Sequence, residues 1–267
     1  MIRPRRRRPW ASPPAPQDVP ADAGFFDELG DALAVNPPTT DLQRRLFARV
    51  EELGLVAGRH PSGDAGAARD EAAAARRAVL AAGAADGSRR VARAAGRGAV
   101  TPDGGWGVNL DVGTYGDDTL LRALVARVGW GANLPEEAVY PVARVDAGGE
   151  RLSGEHTYRI TFRGGPPVDA FWSLSAYAAD MFFERHPSGR YTIGDRTPGL
   201  VLGDDGSLEI VLSHDEPPDA GDRPVNWLPV PEGRFVLMLR LYLPGAEILA
   251  GEYDYPAIER VDGDASA

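Results

Sequence analysis

Ser213, His214 and Asp215 stand in a row, a hydroxyl, an imidazole and a carboxylate, which are the three groups of a proton relay. Neighbours on a strand point to opposite faces, so consecutive residues cannot pass a proton along. What survives is a smaller set, His214 with Asp215 or with Asp195 as general acid and base. The competing assignment makes His214 a hydrogen-bonded strand end and Asp215 the cap of the Pro-rich turn behind it. "GRYTIGDRTPGL" adds Arg190, Tyr191 and Arg196 among glycines. Two guanidiniums can grip a carboxylate or phosphate, with Tyr191 stacked on a ring; equally, Asp195 and Arg196 can pair to fix the loop. In "NWLPVP", Asn226 and Trp227 could hold a sugar ring if the indole is exposed, or plug the end of the fold if it is not. Arg240 sits among apolar residues of "RFVLMLRLYLP". A charge there must be paired or open to a cavity, with Asp195, Asp215 or Glu209 as partners.

Other chemistries are disfavoured. His156, His186 and His214 lack the short His-x-His spacing that would gather three imidazoles on one ion, so neither metal nor cofactor is expected. "GDDG" lacks the ligand alternation of a calcium loop and reads as a turn. With no cysteine in the chain, disulfides, thiolate catalysis and Cys-based zinc sites are excluded.

The elements that would position these residues follow from periodicity. "FFDELGDALAVNPP" has apolar residues at helical spacing and a Pro-Pro stop, and "TTDLQRRLFARVEELGL" repeats the pattern with Thr39 or Thr40 as N-cap. The alanine-rich stretch to residue 100 predicts one or two surface helices with breaks at Gly83 and Gly87. "GWGVNLDVG" puts Trp106, Val108, Leu110 and Val112 on one side of a strand, and a helix over 117–129 follows. Beyond Pro135 come strands: "HTYRITF", "DAFWSLSAY", "RYTIG", a hairpin "GLVLGDDGSLEIVLS" turning at Asp205-Gly206, and "RFVLMLRLYLP" with Phe235, Leu237, Leu239, Leu241 and Leu243 on one face. The expected organisation is a disordered Pro/Arg-rich arm over 1–20, a helical linker segment over 21–100 and a β domain over 101–262. The fold class is mainly β with an N-terminal α segment, a jelly-roll-like antiparallel β-sandwich.

A length of 267 residues with 43% hydrophobic content suffices for a sizeable core. A net charge of −10 argues against nucleic acid and anionic membranes as partners, and no apolar run has the length of a membrane span. The arginine-rich start has no apolar stretch behind it, so a secretory signal is not expected and a cytoplasmic setting is.

"YGDDTLLRALVARVGWGANLPEEAVYP", "FWSLSAY", "GRYTIGDRTPGL", "DGSLEIVLSHDEP" and "NWLPVPEGRFVLMLRLYLP" occur in this order. Together, over roughly residues 105 to 262, they resemble the family known as domain of unknown function 1214. "FFDELGDALAVNPP" is similar to the helical linker before that domain in longer relatives, which usually carry domain of unknown function 1254 upstream. The resemblance implies a jelly-roll sandwich without an assigned activity, and the expectation that the upstream companion is missing here. It also marks departures: His186 stands where relatives often have Asn, Ser213 where Gln commonly precedes the His-Asp pair, and "GEYDYPAI" in place of a Trp-Pro-rich tail.

The sequence therefore points to a module binding a small polar ligand, a saccharide or a carboxylate, through Arg190, Tyr191, Arg196, Asn226, Trp227 and Arg240. Two alternatives stand beside it. One is a hydrolase or lyase of sugar-like substrates working through His214 with Asp195 or Asp215. The other is a non-catalytic assembly protein that self-associates or meets a separate upstream-type β domain. Whether the chain is an enzyme is left open.

Overall fold

In a computed structural model of the chain, the described residues are 20–63, 71–95, 99–100, 105–128, 131–217 and 226–261. The arginine-rich arm lies outside them. The chain divides into two compact units, Met1–Val91 and Ala92–Ala267.

The first unit is helical: α1 (Gly24–Val35), α2 (Asp41–Ala48) and most of α3 (Glu71–Ala95). Thr40 caps α2 in a reciprocal box, its hydroxyl accepting from the Gln43 amide at 3.2 Å while the Gln43 side chain accepts from the Thr40 amide at 3.1 Å. Leu33, Leu55, Leu80 and Ala84 are buried, and the Asp27 carboxylate takes both the amide and the hydroxyl of Ser62. The expected breaks at Gly83 and Gly87 do not occur, since α3 runs through both. Each glycine costs about 1 kcal/mol against alanine in a helix, and the surrounding alanines and arginines absorb it.

The second unit is mainly β. Its elements are β1 (Ala99–Val100), β2 (Trp106–Val108), α4 (Thr119–Val128), β3 (Ala138–Val139), β4 (Val142–Ala143), β5 (Tyr158–Arg163), β6 (Val168–Ala178), β7 (Thr192–Gly194), β8 (Ser207–Ser213), β9 (Trp227–Pro229), β10 (Phe235–Pro244), α5 (Ala246–Leu249) and β11 (Glu259–Arg260). A seven-stranded sheet has the order β1-β2-β4-β10-β6-β7, with β3 also paired to β10, and a four-stranded sheet has the order β11-β5-β8-β9. Pairing is antiparallel except between β8 and β9, which are parallel, so the smaller sheet is mixed.

One apolar core lies between the sheets. β5 alternates strictly, with Tyr158, Ile160 and Phe162 buried and the residues between them exposed. β10 sends Phe235, Leu237, Leu239 and Leu241 into the same core, opposite Trp172, Leu174 and Ala176 of β6. Rings bridge the layers: Phe162 against Trp172 at 5.2 Å and Tyr158 against Phe235 at 5.8 Å. Three sequence expectations are corrected here. Leu243 is 48% exposed, because the register slips between Tyr242 and Pro244 and Leu243 takes a left-handed φ of 52°. β2 ends at Val108, before Leu110 and Val112 can extend the alternation. The "GDDG" segment turns as expected, with Gly206 at φ 78°, but only Ser207–Ser213 beyond it is a strand. Among the described residues no helix is long and apolar enough to cross a membrane.

Candidate functional site

Strands that send every second residue into the core must send the others outward. On β10 those are Val236, Met238, Arg240 and Tyr242, and register sets them opposite Tyr177, Ser175, Ser173 and Phe171 of β6. The outer face of the larger sheet thus gathers an arginine, tyrosines and short hydroxyl side chains. Arg240 donates from Nη1 to Ser175 Oγ at 3.0 Å and from Nη2 to the Tyr177 hydroxyl, and its guanidinium lies 5.5 Å from the centre of the Tyr177 ring. No carboxylate lies within 4 Å of it among the described residues.

Aromatic stacks stand on both sides. Phe171 stacks on Tyr242 at 4.2 Å, with Tyr140 edge-on to Tyr242 at 6.3 Å. On the other side Phe183 stacks on Tyr177 at 4.4 Å and leans on Tyr191 at 5.1 Å. The Tyr140 hydroxyl accepts from Asn133 Nδ2 at 2.8 Å. Burial, then Tyr242, pushes the Tyr140 phenol above its ordinary range while Arg240 pulls the other way. The phenol therefore stays neutral near pH 7, and no phenolate there offsets the Arg240 charge.

A second cluster forms at the end of β8. His214 donates from Nδ1 to the Val230 carbonyl at 3.0 Å, and His186 from Nε2 to the His214 carbonyl at 3.1 Å. Their rings meet at right angles, 5.5 Å apart, and His186 meets the Trp227 ring at 5.6 Å. Two histidines far apart in sequence are therefore neighbours, joined through backbone carbonyls. His214 Nε2 has no hydrogen-bond partner among the described residues. The imidazole lines a surface depression of about 240 Å³ with Asp215, Glu216, Glu155 and His156. Ser213 Oγ donates to the Asp215 backbone carbonyl at 2.6 Å, which takes the hydroxyl out of any relay. No group of three or more His or acidic residues among the described residues is arranged to hold a metal ion.

The remaining predicted residues scatter. Trp227 is only 7% exposed and donates its indole N–H to the Ser213 carbonyl at 3.2 Å. Asn226, 5% exposed, closes its amide on both backbone groups of Val201. Of the two readings of this pair, an exposed indole beside a free amide does not hold, and the other, a plug at the end of the fold, agrees with their burial. Arg190 donates from Nη1 to the Trp227 carbonyl at 2.8 Å. Asp195 accepts from the Trp172 amide at 3.2 Å and lines neither the depression nor the Arg240 cluster. It pairs with neither Arg196 nor Arg240, and Glu209 pairs instead with Arg159 on the other sheet at 3.1 Å. The carboxylate partners expected for Arg240 are thus absent, because each is held elsewhere or faces another way. Arg196 lies over the Phe171 ring, 4.1 Å from its centre.

Sequence reasoning missed Tyr140, Phe171, Ser175, Tyr177 and Tyr242. The available signal was the period of two in "FWSLSAY", which puts Phe171, Ser173, Ser175 and Tyr177 on the face opposite the core.

Residues 137–246 match the family model described as a protein of unknown function (DUF1214). Among solved structures, the chain is similar to the VPA0106 protein from Vibrio parahaemolyticus, at 24% identity and a TM-score of 0.54, over 83% of this chain and 52% of that one. A putative uncharacterised protein from Burkholderia cenocepacia is 19% identical with a TM-score of 0.35, over 89% of this chain and 53% of that one. The chain thus spans about half the length of both. No curated protein matches it.

Proposed function

We propose that this chain, whose residues 137–246 belong to the DUF1214 family, is a binding module that holds a small carboxylate on the outer face of its larger sheet. The observation behind it is Arg240, a partly buried guanidinium held by two neutral hydroxyls, with no carboxylate in reach among the described residues. Ser175 and Tyr177 use two of its five N–H donors and leave three for a ligand. A charge so placed gains most from an anion arriving at it. A saccharide is the weaker choice, since the Trp227 that would grip it is buried. The proposal includes a jelly-roll arrangement of the two sheets, supported by their shared core and by pairing between strands distant in sequence.

The test is a thermal-shift series with acetate and butyrate against acetamide and butyramide. A carboxylate at 100 times its dissociation constant should add about 2.7 kcal/mol of stability, and the amides should add none. Arg240→Gln should lose the response. Equal responses to acids and amides, or an unaltered response in the variant, would overturn the reading.

A second reading is an acid-base enzyme centred on His214, favoured by the imidazole nitrogen left unpartnered beside the depression that holds Asp215 and Glu216. Turnover of glycosides that survives Arg240→Gln and disappears in His214→Ala would establish it in place of the first.

A further inference from the structure

We infer that the ligand is a dianion, a short dicarboxylate whose far acid group is met by Arg196; this rests on the Arg240 reading. Arg196 is the second guanidinium on the same face. It stands over Phe171 at 4.1 Å, and Phe171 is stacked at 4.2 Å on Tyr242. Two groups that close to one ring centre must take its opposite sides, so Arg196 caps an aromatic stack whose base is the strand bearing Arg240. It makes no ion pair within 4 Å among the described residues. Its neighbour Asp195 is held by the Trp172 amide. Asp169, two residues before Phe171 on the same face, is the carboxylate that would compete for it, and it too makes no such pair.

The spacing selects the ligand. Arg240 reaches Ser175 and Tyr177, whereas Arg196 stands at Phe171. Phe171 and Ser175, the nearer of the two hydroxyls that hold Arg240, are two same-face steps apart on β6, roughly 13 Å. A carboxyl carbon sits about 4 Å from the guanidinium carbon in a charge-assisted pair. The two ends therefore take up roughly 8 Å and leave about 5 Å between the acid groups, the span of a dicarboxylate of four to six carbons. Between the two arginines the face is low: Ser173 is short, and Gly194 opposite it has no side chain and could have none, because a Cβ there would lie 2.3 Å from the Trp172 carbonyl. The Ser173 hydroxyl makes no hydrogen bond among the described residues and is a ready donor for the ligand's middle.

Calorimetric titration of the full chain with glutarate and with butyrate tests this. Glutarate is expected to bind at least tenfold more tightly than butyrate. Arg196→Gln should bring glutarate down to the wild-type butyrate level, while Arg240→Gln should remove both. Equal affinity for the two acids, or glutarate binding untouched by Arg196→Gln, overturns the dianion and leaves the Arg240 reading standing. If neither acid binds the wild-type protein, both readings fall. Arg196 is exposed, and a melting temperature equal to the wild type's confirms that its variant folds.

Discussion

β6 and β10 carry two faces with opposite chemistry. Inward, Leu237, Leu239 and Leu241 meet Ala176, Leu174 and Trp172, and exposure is near zero throughout. Outward, on the alternate residues of the same two strands, Arg240, Tyr242 and Met238 meet Ser173, Phe171 and Ser175. One backbone serves both, so the difference lies wholly in side chains and in what covers them. The inner face is held by burial of apolar area. The outer face spends polar groups where a neighbour could have been apolar, and an uncompensated charge there is a cost that the fold does not need. The comparison separates stability from chemistry, and variants on each face should do the same.

The sharpest separation should come from Leu239→Ala. It empties a fully buried position and should cost about 2–5 kcal/mol, measured by denaturant unfolding. A cost below 1 kcal/mol would mean that the inner face is not the stabilising one. Asn226→Ala should follow, at about 1–3 kcal/mol, because it leaves the Val201 amide and carbonyl without their partner.

At the rim of the core, burial holds the Tyr253 phenol up at about 12, and the buried Tyr255 phenol is raised as well. The unfolded chain releases these protons first, near pH 10. Their contribution is therefore whole below pH 10 and drains as pH climbs through 12. Melting temperatures taken from pH 8 to 12 should fall at the upper end, and Tyr253→Phe should flatten that fall.

Arg240→Gln, which trades two hydrogen bonds from a charged donor for the weaker ones a neutral amide can make, should cost no more than about 1–2 kcal/mol, while abolishing carboxylate binding. A large loss of stability would place Arg240 with the structural residues and dissolve the contrast. Smallest of all, Arg159→Ala breaks a half-exposed pair with Glu209 on the outer side of the smaller sheet and should cost less than about 1 kcal/mol.

Much of the inner face was legible because alternation is a local signal. "HTYRITF" and "RFVLMLRLYLP" each announce which residues turn inward, and Arg240 stood out as a charge among leucines. Its surroundings were not legible. The tyrosines around it come from three separate stretches, and they meet only through the pairing of β10 with β6 on one side and with β3 and β4 on the other. The same limit hid the burial of Asn226, whose partner Val201 is 25 residues away. Sequence proximity misled in the opposite direction: Asp195 beside Arg196 suggests an ion pair, yet the carboxylate turns to the Trp172 amide. α3 shows a third kind of miss, where composition outweighed single residues and the two glycines did not break the helix.

β10 is bonded along both edges, to β6 on one side and to β3, Pro141 and β4 on the other. Its amides therefore have no route to deuterium short of opening a neighbouring strand, and they should be among the slowest in the protein to exchange. The guanidinium of Arg240 is thus anchored to the segment that opens last. Local fraying that loosens the edges of the sheet will leave that anchor in place, so a carboxylate bound there would dissociate by its own escape and not by the breathing of the strand beneath it.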